Sequence, residues 1–171
     1  MASLAPSAGP ETGSGLPPEA PAVRDVVVFH VDDITCGLDV RQIQEINKIT
    51  AHTAVHRAPG FVRGLVNMRG QIITLIDVRE RLGLPARVLQ GPTPAIIVPV
   101  GSELVGLLVD EVDDVVEAEP DSVRPPPANL HGVEGRFFTS VLQTAGGLVA
   151  MLDKERIASG EPTEDHAPRT G

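Results

Sequence analysis

Apolar and polar positions fall into short blocks along this chain, most of them too short and too often interrupted by glycine to be helices. Residues 26–31 and 34–39 are two such blocks joined by Asp32 and Asp33, the signature of a β-hairpin. The pattern recurs at 95–100 and 104–109 around Gly101, Ser102 and Glu103. It recurs again at 137–143 and 148–152 around residues 144–147. Between the first two hairpins, residues 65–68 and 71–76 read as two more strand segments with a tight bend or bulge at Arg69-Gly70. Helical spacing of apolar residues appears only over 40–46, 78–82 and 153–157. The second stretch is stopped by Gly83 and Pro85, and all three are expected as short connecting helices.

Many short strands, frequent glycine turns and no alternation of strand with long helix predict an all-β domain, mainly antiparallel, built as a barrel or sandwich. Composition supports this. Trp and Tyr are absent and Phe numbers 4, so Val, Leu and Ile must fill the core, and the β-branched pair favours strands. The three prolines at 125–127 mark a rigid crossing segment. Residues 1–22 are mostly Ala, Pro, Gly and Ser, and residues 159–171 carry no large apolar side chain. Neither can bury enough apolar area to offset the entropy of ordering, so both are expected as disordered tails around a folded unit at 23–158.

The 171 residues suit one domain with a sizeable core. A formal net charge of -9 repels nucleic-acid phosphates and anionic membrane surfaces, so neither nucleic acid nor direct membrane insertion is expected. A single cysteine, Cys36, allows no internal disulfide and fits a reducing cytoplasm. Among valines it is expected as a core residue rather than a nucleophile.

Candidate chemistry is sparse. His52 and His56 have the spacing of a helical metal pair, yet β-branched neighbours and Pro59 disfavour a helix, and both are expected as surface side chains. Residues 110–121 hold seven carboxylates but lack the glycine and terminal glutamate of a calcium loop. They are expected as a strand or bend with its acidic face in water, able to attract or repel a partner. No phosphate-binding loop or nucleophile elbow occurs. No cofactor, metal or catalytic residue is therefore expected. In the segment 59–79, Asn67, Arg69 and Gly70 at a strand bend place a planar guanidinium beside a point of close backbone approach, which suits recognition of a partner. The alternative is that Arg69 pairs with Asp77 and only fixes the fold.

The same segment, with Phe61, Val62-Arg63-Gly64, Asn67-Met68-Arg69-Gly70 and Ile76-Asp77-Val78-Arg79, resembles the signature of the CheW family of chemotaxis adaptors. Stretches 40–46, 105–115 and 152–157 are similar to family members as well, so the resemblance covers about residues 24–158. It implies two intertwined five-stranded SH3-like barrels and no catalytic activity. It also implies two partners: the regulatory domain of a CheA-type histidine kinase and the cytoplasmic coiled-coil tip of a chemoreceptor. Carried over by position, Ile43, Glu45, Gly64 and Arg69 would face the receptor, and Gly70, Gly106 and Val112 would face the kinase. The main alternative function is a small-ligand sensor with a pocket between the two barrels.

Overall fold

The computed structural model describes residues 24–85 and 91–159. The expected tails at 1–22 and 159–171 lie outside the described residues, apart from Ser159. Thirteen strands and two short helices alternate along the described chain. β1 (Arg24–Val31) and β2 (Ile34–Asp39) form the first hairpin, followed by β3 (Glu45–Ile49). β4 (Val62–Met68) and β5 (Gln71–Asp77) lead into α1 (Val78–Arg81). β6 (Thr93–Val100), β7 (Glu103–Leu108) and β8 (Glu111–Ala118) come next. The two-residue strands β9 (Val123–Arg124), β10 (Asn129–Leu130) and β11 (Val133–Glu134) flank the proline segment. β12 (Phe138–Thr144), β13 (Gly147–Leu152) and α2 (Lys154–Ala158) close the fold.

The hairpins predicted from alternation are all present, with the loops expected at 101–103 and 144–147 shortened to 101–102 and 145–146 by pairing of Glu103 with Val100 and of Thr144 with Gly147. The helix expected over 40–46 is not. A single 3-10 turn spans Val40–Gln42, capped by the Asp39 carboxylate, which accepts from the Arg41 N–H. The chain then straightens into β3, because the exposed edge of β6 supplies backbone partners, beginning with Gln44 N–H donating to Ile97 O at 2.8 Å. Tertiary pairing thus overrides the local apolar spacing.

The strands form two SH3-like barrels. One sheet has the order β8-β1-β2-β13-β12-β9, five long strands plus the short β9. The other has the order β3-β6-β7-β5-β4. The two repeat one plan. β1-β2 corresponds to β6-β7, and β4-β5-α1 corresponds to β12-β13-α2. In each barrel the hairpin strand after the turn runs parallel to the strand that precedes the helix: β2 beside β13, and β7 beside β5. The third strand of each unit is exchanged: β3 follows β2 but pairs with β6, and β8 follows β7 but pairs with β1. This exchange is what intertwines the barrels, with barrel 2 (β3 to β7) inserted in sequence into barrel 1.

Three apolar clusters follow from this plan. One fills barrel 2, with Ile73, Leu75 and Ile97 at its centre, and one fills barrel 1, with Val26, Leu142 and Val149. The largest lies between them and draws on both, from Val31 and Leu38 to Ile96 and Leu107. All four phenylalanines sit in or against this shared core. Cys36 is buried there, and burial pushes its thiol up to about 12.

Polar groups lock the halves together. The Arg81 guanidinium, 2% exposed, lies between the rings of Phe61 and Phe137 at 4.7 and 5.1 Å and donates to the carbonyls of Ile157 and Arg156 at the end of α2. Arg79 bridges Asp110 and Asp32, both at 3.0 Å, which ties α1 to the β1–β2 turn. Asp77 and Asp153 cap α1 and α2 in the same way, accepting from Glu80 N–H and Arg156 N–H.

Candidate partner-binding surface

The β4–β5 connection is a two-residue turn in which both central residues are left-handed, Arg69 at φ 56° and Gly70 at φ 83°. Hairpins select this turn because its twist matches that of the flanking strands, and it favours glycine and asparagine. The Asn67 side chain steadies it by accepting from Gly70 N–H at 3.1 Å. An arginine in the strained position is thereby held out from the barrel with its side chain 72% exposed.

Its guanidinium donates to Glu45 Oε2 at 2.7 Å. Glu45 stands on β3 and Arg69 at the end of β4, the two edge strands of the second sheet, so the pair spans the seam where barrel 2 closes. The hydrogen bond from Arg69 holds the Glu45 carboxyl below its ordinary range. Asp77 has a different partner: buried at 4% exposure, it is paired with Arg63. The alternative pairing of Arg69 with Asp77 is therefore replaced by two separate pairs, one inside and one outside.

Of the other positions singled out for the receptor surface, Ile43 is half-buried at the entry to β3 and packs on the shared core. Gly64 is buried at a bulge in β4, where a Cβ would fall 2.3 Å from Thr53 O, so it shapes the barrel from within. Among the kinase-side positions, Gly70 is exposed with open space around it, and Gly106 is buried with its missing Cβ aimed at Leu75 and Ile97 inside barrel 2. Val112 lies half-buried on β8 of barrel 1, opposite Phe29. Glu45, Arg69 and Gly70 thus come together, with Ile43 adjoining on the β3 side. Gly64 and Gly106 reach a surface only through the strands they let pack, and Val112 stands on the other barrel.

Sequence reading missed two apolar side chains on this part of barrel 2. Ile46 follows Glu45 on β3 and is 40% exposed, and Ile72, in register with Asn67, is 59% exposed. Their signal was a large aliphatic at an outward position of an edge or hairpin strand, visible only once the inward positions were known. Ile46 points to the face of β3 opposite Glu45 and Ile72 stands on β5 opposite Asn67, so exposed aliphatic side chains flank the ion pair on neighbouring positions of barrel 2.

The space between the barrels, where a ligand pocket was expected, is filled by the shared core. A cleft of about 590 Å³ opens instead on barrel 1, lined by β1, β8, the β12–β13 turn and the start of β13. His52 and His56 lie exposed in a non-helical segment, and residues 111–118 form an acidic edge strand, as expected. Among the described residues no helix is long and apolar enough to cross a membrane.

Comparison with known proteins places these features. The model of the CheW-like domain matches residues 25–161. "Chemotaxis protein CheW" of Rhizobium meliloti (strain 1021) is 28% identical over 82% of this chain and 91% of its own length. Protein FrzA of Myxococcus xanthus is 26% identical over 75% of this chain and 79% of its own. The crystal structure of scaffolding protein TtCheW from Thermoanaerobacter tengcongensis superposes with a TM-score of 0.74 at 27% identity, covering 81% of this chain and 95% of that one.

Proposed function

The chain belongs to the CheW-like domain family, and from that premise we propose that it is a non-catalytic scaffold coupling chemoreceptors to a CheA-type histidine kinase in a chemotaxis-like signalling system. Two relatives bear chemotaxis or scaffolding names, and the match runs through the whole described unit. The observation that carries the reading is the Arg69–Glu45 pair. It sits on a two-residue hairpin turn with the guanidinium exposed, and Arg69 occupies a left-handed position while donating to Glu45. A residue kept in a strained exposed place points to recognition rather than to stability.

In this reading the receptor tip, a helical hairpin, lies along β3 and the β4–β5 turn. Ile43 meets its apolar stripe, and Glu45 and Arg69 meet its charges. The kinase regulatory domain meets Gly70 at the tip of that same turn and the β8 side of barrel 1 near Val112. Gly64 and Gly106 contribute by holding the strands of barrel 2 in place.

Calorimetry of the full chain against the regulatory domain of the cognate kinase, and against a soluble receptor-tip fragment, tests this. Saturable binding in the micromolar range, roughly -8 kcal/mol, is expected for the kinase. Failure to bind any cognate kinase or receptor fragment would sink the scaffold reading. A small-ligand sensor is the second reading, supported by the cleft on barrel 1. A metabolite that raises the melting temperature of a chain without kinase binding would favour it.

A further inference from the structure

The mouth of barrel 1, beside the Val112 position on β8, combines two features that the Arg69–Glu45 seam lacks. Its lining includes the apolar side chains of Val28, which is buried in the barrel 1 core, and Leu148, which is 53% exposed. Its rim carries the carboxylates of Asp113, Asp114, Glu117 and Glu119, all exposed; Asp113 lies 3.3 Å from His30 Nε2, and no Lys or Arg is among the lining residues. β8, which supplies most of the rim, is an edge strand: β1 pairs with one side of it, and no described strand pairs with the other.

Each feature limits the occupant. A cleft about 590 Å³ in volume with these apolar side chains in its lining accepts an aliphatic or aromatic side chain, since such anchors gain most when seated in a concave mouth. A one-signed rim selects the opposite charge and rejects its own. A second copy of this chain, with a net charge of -9, is repelled overall. A free strand edge beside the cleft offers backbone hydrogen bonds to an extended segment.

We propose that the mouth of barrel 1 docks an extended segment of a partner protein in which an apolar anchor is flanked by Lys or Arg. The anchor enters between Val28 and Leu148, and the cationic side chains meet Asp113 and Glu117 on β8. The occupant's being a protein rests on the scaffold reading; its charge and its anchor rest on the cleft alone. The surface is separate from the Arg69–Glu45 seam, which lies on barrel 2, so two partners can be held at once.

The probes are three synthetic peptides titrated into the full isotope-labelled chain: Lys-Lys-Leu-Val-Lys-Lys, its Glu-for-Lys counterpart, and a Lys-Lys-Gly-Gly-Lys-Lys control. The first is expected to shift the amide resonances of residues 111–119 and 143–149. The other two should bind at least about tenfold more weakly. The double variant Asp113→Asn, Glu117→Gln keeps the apolar lining and should lose about tenfold in affinity for the first peptide. Absence of shifts, shifts centred elsewhere, equal binding of the acidic peptide, or an unaffected double variant would overturn the proposal. Kinase and receptor-fragment binding measured on the same samples keeps the two readings apart: intact binding there with no peptide response refutes the cleft alone.

Discussion

Gly37 and Gly106 hold the same place in the two barrels: Gly37 stands in parallel register with Met151, Gly106 with Leu75, and a Cβ on either would meet side chains of its own barrel interior at 2.7 and 2.8 Å. Both positions are closed by side chains, Val149 and Val26 in one barrel and Leu75 and Ile97 in the other. Gly64 differs, because its obstruction is the backbone carbonyl of Thr53 at 2.3 Å and its φ is 152°.

Three grades of cost follow for glycine substitution. Gly64→Ala is expected to lose about 3 kcal/mol, since backbone must move and the conformation is strained. Gly37→Val and Gly106→Val should each lose about 2 kcal/mol by overpacking. Gly70→Ala, with open space but φ of 83°, should lose about 1 kcal/mol. Urea midpoints of the four variants test the order; a Gly106 variant of native stability would place its role at a surface after all.

Arg81 should be the costliest single side chain to remove. Arg81→Met fills a similar volume but leaves the carbonyls of Arg156 and Ile157 without their donor and the two phenylalanine faces without their cation, a loss of about 3 kcal/mol. Arg81→Lys should recover little of it, because a point ammonium cannot lie flat between two rings while donating along its edge. Thermal unfolding of both variants measures this.

At the barrel 2 seam, stability and binding should separate. Arg69→Glu sets a second carboxylate against Glu45, and the exposed site leaves the melting temperature close to that of the parent, while affinity for the receptor fragment falls by about tenfold or more. Arg69→Gly relieves the left-handed turn and should raise the melting temperature while also weakening binding. Parallel loss of stability and binding in both variants would mean that Arg69 is structural.

Asp39 sets part of the acid limit of the fold. Hydrogen bonds from the Arg41 side chain, with further help from the Arg41 N–H and the charge of Arg24, hold its carboxyl below the ordinary 3.8. A carboxyl with a depressed folded-state pKa stabilises fully above its unfolded value and loses that contribution as pH falls through the folded one. The stability gap between the parent and Asp39→Asn should therefore be constant from neutral pH down to about 4 and shrink below 3.8. A gap that widens on acidification would contradict the assignment.

Cys36 should be silent in the native state. Buried, with its thiol pushed up to about 12, it presents almost no thiolate at pH 8. Iodoacetamide labelling is expected only at the rate of unfolding, and rapid labelling without denaturant would show that the shared core opens locally.

Much of this was written locally. The loops at 32–33, 69–70 and 101–102 and the alternation around them defined the hairpins, and the asparagine and glycine of 67–70 marked the exposed turn before any fold was known. Residues 40–46 misled because apolar side chains three apart suit a helix in isolation, and only the free edge of β6 made a strand the better partner. Arg69 was legible as an exposed residue at a strand bend, but its mate was not. Asp77 stood eight positions away in sequence, whereas Glu45 arrived from the opposite edge of the sheet.

The sequence by itself determined the hairpin strands (but not β3), their turns, the acidic character and the family, because each depends on neighbours in the chain or on ordered motifs. Tertiary structure decided which glycines are exposed and which face a core, which carboxylate each arginine meets, and where the cleft opens. Those depend on an exchange of β3 and β8 between barrels, a long-range pairing that leaves no local trace because either strand satisfies its own pattern equally well on either sheet.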